Sequence, residues 1–208
     1  MYGLERDNLA WCEIDGQLIF LDIAQDRYFR LPDKHSREVI EALGPPWQSR
    51  QSRWRQPHRL PVPSGWKDPA RTSPAISDGP FNLAEVARAL WVQRRAERRL
   101  AQHSFASNIL ALRSMLDARP GTACQAGCAD VPTIRAFEHA RLLRSAADRC
   151  LPRSIALACC LAARGVRPVV VIGVKLAPFG AHCWVQAGDE VLGDTAEEVL
   201  RYRPILVI

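Results

Sequence analysis

Apolar and polar positions switch period several times along the chain, and each switch predicts an element. Over residues 9 to 31 the period is two: Leu18, Phe20 and Asp22 alternate with Ile19, Leu21 and Ile23, as on a β-strand. Asp15-Gly16 supplies a hairpin turn and Gln25-Asp26 a second break, so three short strands are expected here. The stretch "DKHSREVIEALG", residues 33 to 44, opens on an acid, carries Val39, Ile40 and Leu43 at helical spacing, and closes on Gly44. Those are the start and stop signals of a helix.

The period returns to that of a helix at residues 81 to 101, "FNLAEVARALWVQRRAERRLA", with Asn82 as the cap and Leu83, Val86, Leu90 and Trp91 expected to face inward. Further helices are expected over 105–117 and 131–146, then one that begins near Cys150 and ends at Gly165. "RPVVVIGVKL", residues 167 to 176, reads as a strand buried on both faces, and residues 181 to 195 as a second hairpin. Strands with helices, then helices followed by an antiparallel sheet, make an α+β pattern.

Composition adds a boundary. From Pro45 to Pro80 the chain turns to Pro, Ser, Arg and Trp, too rich in proline for a long helix and suited to a connection between packed units. Trp47, Trp54 and Trp66 in it are expected to dock rather than stay free. The expected domains are therefore 1–80 and 81–208.

The 208 residues carry a net charge of +6 and are 48% hydrophobic, enough for a packed core. Arg88, Arg95 and Arg99 share one helix face, which reads as a solvated or partner-facing surface. Without an aromatic platform or a helix-turn-helix pattern, no nucleic-acid partner is expected. Apolar runs fall far short of the roughly 20 residues of a membrane span, and the charged N-terminus does not resemble a signal peptide, so no membrane association and a cytoplasmic location are expected. The seven cysteines lack the spacing of a disulfide framework and read as free thiols.

The candidate chemistry centres on "DRCLPRS". Pro152 suits a first helical turn, placing Cys150 at the helix N-terminus, where the backbone dipole and Arg149 and Arg153 favour a thiolate. His182 begins a strand, and the following hairpin brings Asp194 back towards it. A carboxylate on the far ring nitrogen would fix the imidazole's orientation. Register decides whether the two meet: a two-residue loop at Gly188-Asp189 would oppose His182 to Thr195, whereas a three-residue loop from Ala187 to Asp189 would oppose it to Asp194. The longer loop is expected.

Composition alone leaves open that Cys150 is a small buried residue at a helix end. Cys159, Cys160 and Cys183 read as core, and Cys124 and Cys128 as part of a loop without a second ligand pair for a metal. Asp148 and Asp189 rank below Asp194 as the acid, since one adjoins the thiol and the other sits in the turn.

"DRCLPRSIALACCLAARGVRPVVVIGVKLAPFGAHCWVQAGDEVLGDT" and the ending "RYRPILVI" resemble the leader peptidases of lasso-peptide biosynthesis, the B proteins. The resemblance begins at the "ALWVQRRAERRLA" helix. It implies a C-terminal transglutaminase-like cysteine protease domain with Cys150 as nucleophile, His182 as its base and Asp194 as the acid. The Cys150 backbone N–H is then the first oxyanion donor. The three strands and helix of residues 9 to 44 are similar to the small winged-helix-like leader-recognition domain of that family. Its third strand, with Tyr28, Phe29 and Arg30, is the expected docking edge for an added leader strand.

The implied activity is cleavage of a ribosomal precursor at the leader–core junction, freeing the core's N-terminal amine. The implied partners are that precursor peptide and a separate ATP-dependent macrolactam synthetase. The resemblance also implies ATP for the coupled maturation, while the chain has no Gly-rich phosphate loop and no cofactor or metal is assigned to it. Two other classes share these features: a transglutaminase-type acyltransferase using the same three residues, and a non-hydrolytic protein that presents the leader to a partner.

Overall fold

The computed structural model describes residues 7–43, 53–73, 79–119, 130–143 and 149–208. Gly44, Trp47, residues 144–146, the Cys124 and Cys128 pair and Asp148 lie outside them.

The first sheet is built from β1 (Leu9–Ile14), β2 (Gln17–Asp22) and β3 (Arg27–Arg30), followed by α1 (Asp33–Leu43). Asp15 and Gly16 both take positive φ, 50° and 79°, which is the type I′ turn that closes the Ile14–Gln17 pair. Alternation splits β2 into two apolar sets. Leu18 and Phe20 join Trp11 and Val39 in a small cluster under α1, while Ile19 and Leu21 face the main core with Ala10 and Cys12. Both faces of this small sheet are thus covered.

The Pro-rich connection contributes to both sheets. Its β4 (Trp54–Arg55) pairs antiparallel with β1, completing the order β3-β2-β1-β4, and its β5 (Arg71–Thr72) joins the second sheet. That sheet has the order β5-β8-β7-β6-β9, from β6 (Val169–Lys175), β7 (Gly180–Ala187), β8 (Glu190–Leu192) and β9 (Arg203–Val207). All its pairings are antiparallel except β5 with β8.

Trp54 and Trp66 meet edge to face at 5.4 Å and cover the outer side of the second sheet, against the cluster of Val171, Trp184, Val191 and Val207. Half-buried, each contributes on the order of 2 kcal/mol of apolar burial. Gln56 then caps the β9 edge, donating to the Val207 carbonyl at 3.0 Å and accepting its N–H at 2.8 Å. β1 and β4 lie against β9 at this seam.

Of the helices α2 (Leu83–Gln102), α3 (Phe105–Asp117), α4 (Val131–Leu143) and α5 (Cys150–Ala163), α5 covers the inner face of the second sheet against β6 and β7, and the other three pack around α5. Asn82 caps α2 by accepting from the Ala84 and Glu85 N–H groups. The buried stripe of α2, however, is Val86, Ala89, Gln93 and Ala96, while Leu83 is 70% and Trp91 61% exposed. Of the expected inward set, Val86 is buried and Leu90 packs against the core, while Leu83 and Trp91 are corrected by packing: α2 lies against both α4 and α5, and small residues let the three backbones approach while the bulkier Leu83 and Trp91 stay outside. Among the described residues, no helix is long and apolar enough to cross a membrane.

Candidate active site

Cys150 is the first residue of α5, half-buried, with Arg149 at the cap position and no side chain satisfying the cap. Pro152 lies in the first turn, and the Arg153 N–H bonds the Arg149 carbonyl at 3.2 Å. Ser154 Oγ donates to the Cys183 carbonyl at 2.8 Å, pinning this end of α5 to β7 beside His182. The thiol, exposed to the unpaired N–H groups of a helix start, is therefore held against the sheet at one height.

His182 stands on β7 opposite Gly173 of β6. Its ring neighbours Trp184, with centroids 6.2 Å apart, and Tyr202, at 5.1 Å, and the Lys175 ammonium sits 4.9 Å from the Tyr202 centroid. Glycine at 173 makes room for both aromatics, because a Cβ there would lie 2.7 Å from the Trp184 ring and 2.9 Å from the Tyr202 Cβ. Gly173→Ala is expected to destabilise the fold by about 1–3 kcal/mol through overpacking and to shift the His182 ring resonances. A denaturant titration and an NMR spectrum check both; an unchanged midpoint with unmoved resonances refutes the packing role.

The approach of Asp194 differs from expectation. The β7–β8 loop has two residues, Gly188 and Asp189, with Ala187 opposite Glu190 and Val185 opposite Leu192. Gly188 takes φ 62° and Asp189 does not, as a type II′ turn requires. The three-residue loop is thus corrected. Continued, this register would put Thr195 opposite His182, but β8 ends at Leu192 and Gly193, with φ 70°, turns the chain out of the ladder. Asp194 Oδ2 thereby reaches His182 Nε2 at 2.7 Å. The alternation of faces no longer applies once the strand has ended.

A half-buried guanidinium secures that turn. Arg153 Nη2 donates to the Gly193 carbonyl at 2.7 Å and forms an ion pair with Glu138 of α4. Asp194 Oδ1 accepts the Thr195 N–H at 2.9 Å. Thr195 in turn caps α6 (Ala196–Val199), accepting from the Glu198 N–H at 3.2 Å. Sequence reasoning missed Arg153 as a support for the acid and missed Gly173, Gly193 and Tyr202. The Gly-Asp pair ending the strand was a turn signal that could have revealed Gly193; Arg153 and Tyr202 carry no local signal.

The electrostatics follow from these contacts. Burial pushes the Cys150 thiol up, but its hydrogen bond to His182, backbone hydrogen bonds at Cys183 and Leu151 and the imidazolium charge outweigh it, and the thiol lies below its ordinary value. Burial pushes His182 down, yet the hydrogen bonds and charges of Asp194 and Cys150 raise it to about 9. Asp194 is held low against burial by His182, the Thr195 backbone and Arg153. The arrangement favours a thiolate–imidazolium pair braced by a carboxylate. Each of the other four described cysteines is shifted the opposite way, chiefly by burial: Cys12 to about 12, and Cys159, Cys160 and Cys183 also upward.

Asp189 remains in its turn, 2.6 Å from Arg71. On β3, an outer strand of its sheet, Tyr28, Phe29 and Arg30 diverge. The Tyr28 ring faces the main core, 5.8 Å from Phe179 in the β6–β7 turn, and burial followed by the negative field of Cys183, Asp26 and Cys150 raises its phenol. Phe29 stacks on Phe20 at 5.1 Å on the α1 side, and Arg30 lies exposed beside Gln17, at 3.4 Å. Among the described residues, no group of three or more His, Cys, Asp or Glu is placed to hold a metal ion.

A thiol at a helix start, with an imidazole and a carboxylate on the adjoining antiparallel sheet, defines a thiol–imidazole–carboxylate site on an α+β fold. The transglutaminase-like superfamily model matches residues 90–207, and the chain belongs to that superfamily. Comparisons with curated proteins and with solved structures find no match.

Proposed function

We propose that the protein is a cysteine peptidase that removes the leader of a ribosomally made lasso-peptide precursor, with Cys150 as nucleophile, His182 as the imidazolium partner of the thiolate that acts as general acid and then as general base, and Asp194 as the group that orients and charges the imidazole. The observation that carries this reading is the geometry that puts Cys150 at the start of α5, hydrogen-bonded to His182, with Asp194 2.7 Å from the same imidazole; among the described cysteines Cys150 is the one whose thiol is shifted towards its reactive form. The thiolate attacks the carbonyl at the leader–core junction. The imidazolium gives its proton to the leaving amine, and water then hydrolyses the thioester with the imidazole as base.

In this reading, residues 1–80 form the leader-recognition unit with its Pro-rich connection and 81–208 the peptidase unit. The leader adds a strand along β3, whose only described strand neighbour is β2. Tyr28 supports that route, because it links the β3 edge to Phe179 on the turn preceding His182. The released core passes to an ATP-dependent macrolactam synthetase, and ATP belongs to that coupled step.

The test is mass spectrometry of a lasso-peptide precursor incubated with the protein, the partner synthetase and ATP, with and without added glycine methyl ester. Free leader ending in a carboxylate is the expected product. Leader carrying the amine would instead identify a transglutaminase-type acyl transfer, and an intact precursor that nevertheless binds would leave a presentation protein.

A further inference from the structure

A groove of about 350 Å³ lies between α2, α3 and α5, away from the thiol. Its floor is apolar, with Leu112 buried and Met115 and Ile155 packed against the core. Four guanidiniums line it, Arg88, Arg95 and Arg99 from α2 and Arg119 beyond α3, and no carboxylate does. Seven and four residues apart, the three on α2 form one stripe about 16 Å long at 1.5 Å per residue. Trp91 stands 61% exposed at the edge with the Arg95 guanidinium 5.7 Å from its ring. Arg119, Arg99 and Arg95 all act on the Cys159 thiol at the floor, partly offsetting the upward push of burial, so their charge converges on the groove.

We propose that this groove docks an acidic segment of a partner protein, inserting an apolar side chain over Leu112 and Met115 while its carboxylates meet the arginine stripe. Charge and shape select this occupant. A phosphate backbone could answer the arginines but would leave the concave apolar floor empty. A small anion would engage one end of a 16 Å stripe, roughly three helical turns. A peptide helix with acids on one flank and leucines on the other satisfies both features at once. Tryptophan and arginine are also residue types enriched among those that dominate binding energy. Cys159 lies nine residues along α5 from Cys150, about 13 Å at 1.5 Å per residue, so an occupant leaves the thiol uncovered. This site is independent of the reaction at Cys150.

The probe is a fluorescent peptide of roughly 12 residues, long enough to span the stripe, with glutamates on one helical face and leucines on the other. Its controls carry Lys for Glu or Gln for Leu. Anisotropy with the full chain is expected to show saturable, salt-weakened binding of the Glu/Leu peptide alone. Arg95→Glu with Arg99→Glu is expected to reduce it at least about tenfold and to gain the Lys/Leu peptide. Trp91→Ala, at an exposed position, is expected to weaken binding with helix content unchanged, and iodoacetamide labelling of Cys150 should not alter in either variant. Equal binding of the Gln-substituted peptide, displacement by a short DNA duplex at similar concentration, absence of binding, or an unaffected double variant would each overturn the proposal.

Discussion

Cys150→Ala is expected to leave leader and core joined under conditions where the wild type separates them, a loss of about 10⁴-fold or more in kcat. The size of the effect follows from what could replace the lost sulfur. Cys183, the next cysteine in space along β7, is fully buried and its thiol is pushed up, and Cys12, Cys159 and Cys160 shift the same way. None is paired with an imidazole. Cys150→Ser should lose nearly as much, since an imidazole near pKa 9 cannot hold a hydroxyl ionised as it holds a thiol. In the proposed reading leader binding should persist in both, because β3, the proposed docking strand, does not include the thiol. Quantitative mass spectrometry of the cleavage time course measures the loss. Wild-type rates in Cys150→Ala would remove this residue from the mechanism.

Asp194→Ala is expected to lower kcat by about 10²–10⁴-fold and to change the pH profile in a direction that separates electrostatics from packing. The reactive pair needs a deprotonated sulfur and a protonated ring. Activity therefore rises with pH as the Cys150 thiol ionises, below its ordinary value, and falls as His182 loses its proton near pH 9. The 2.7 Å bond from Asp194 is a main reason the imidazole stays charged that high. Without it, the falling limb moves to lower pH and the rising limb to higher pH, so the bell narrows as well as shrinks. Asp194→Asn, which keeps a hydrogen-bonding shape but not the charge, should fall between the two. A falling limb still near pH 9 in Asp194→Ala would show that the carboxylate does not sustain the imidazolium.

The residues that meet at the site were legible in the sequence because each sits beside a local signal. Pro152 marks the helix start that carries Cys150, and His182 and Asp194 flank a hairpin whose turn residues are Gly and Asp. How the acid reaches the base was not legible. Parity arguments assume an unbroken strand, and here β8 stops after three residues and a glycine redirects the chain. The support of that turn by Arg153, from a helix forty residues earlier, and the space left at Gly173 for two aromatics arise only when distant elements pack.

By itself the sequence determined the order of the first three strands, of α1 to α5 and of β6 to β8, the Asp15-Gly16 turn, the Asn82 cap and the helix start at Cys150, because capping, turn chemistry and side-chain period act within a few residues. The tertiary structure alone decided which face of α2 is buried, that the Pro-rich stretch lends a strand to each sheet and two tryptophans to the outer side of the second, and that Asp194 meets His182 by leaving the ladder. These outcomes depend on which backbones can approach one another across the fold, and no window of local sequence contains that competition.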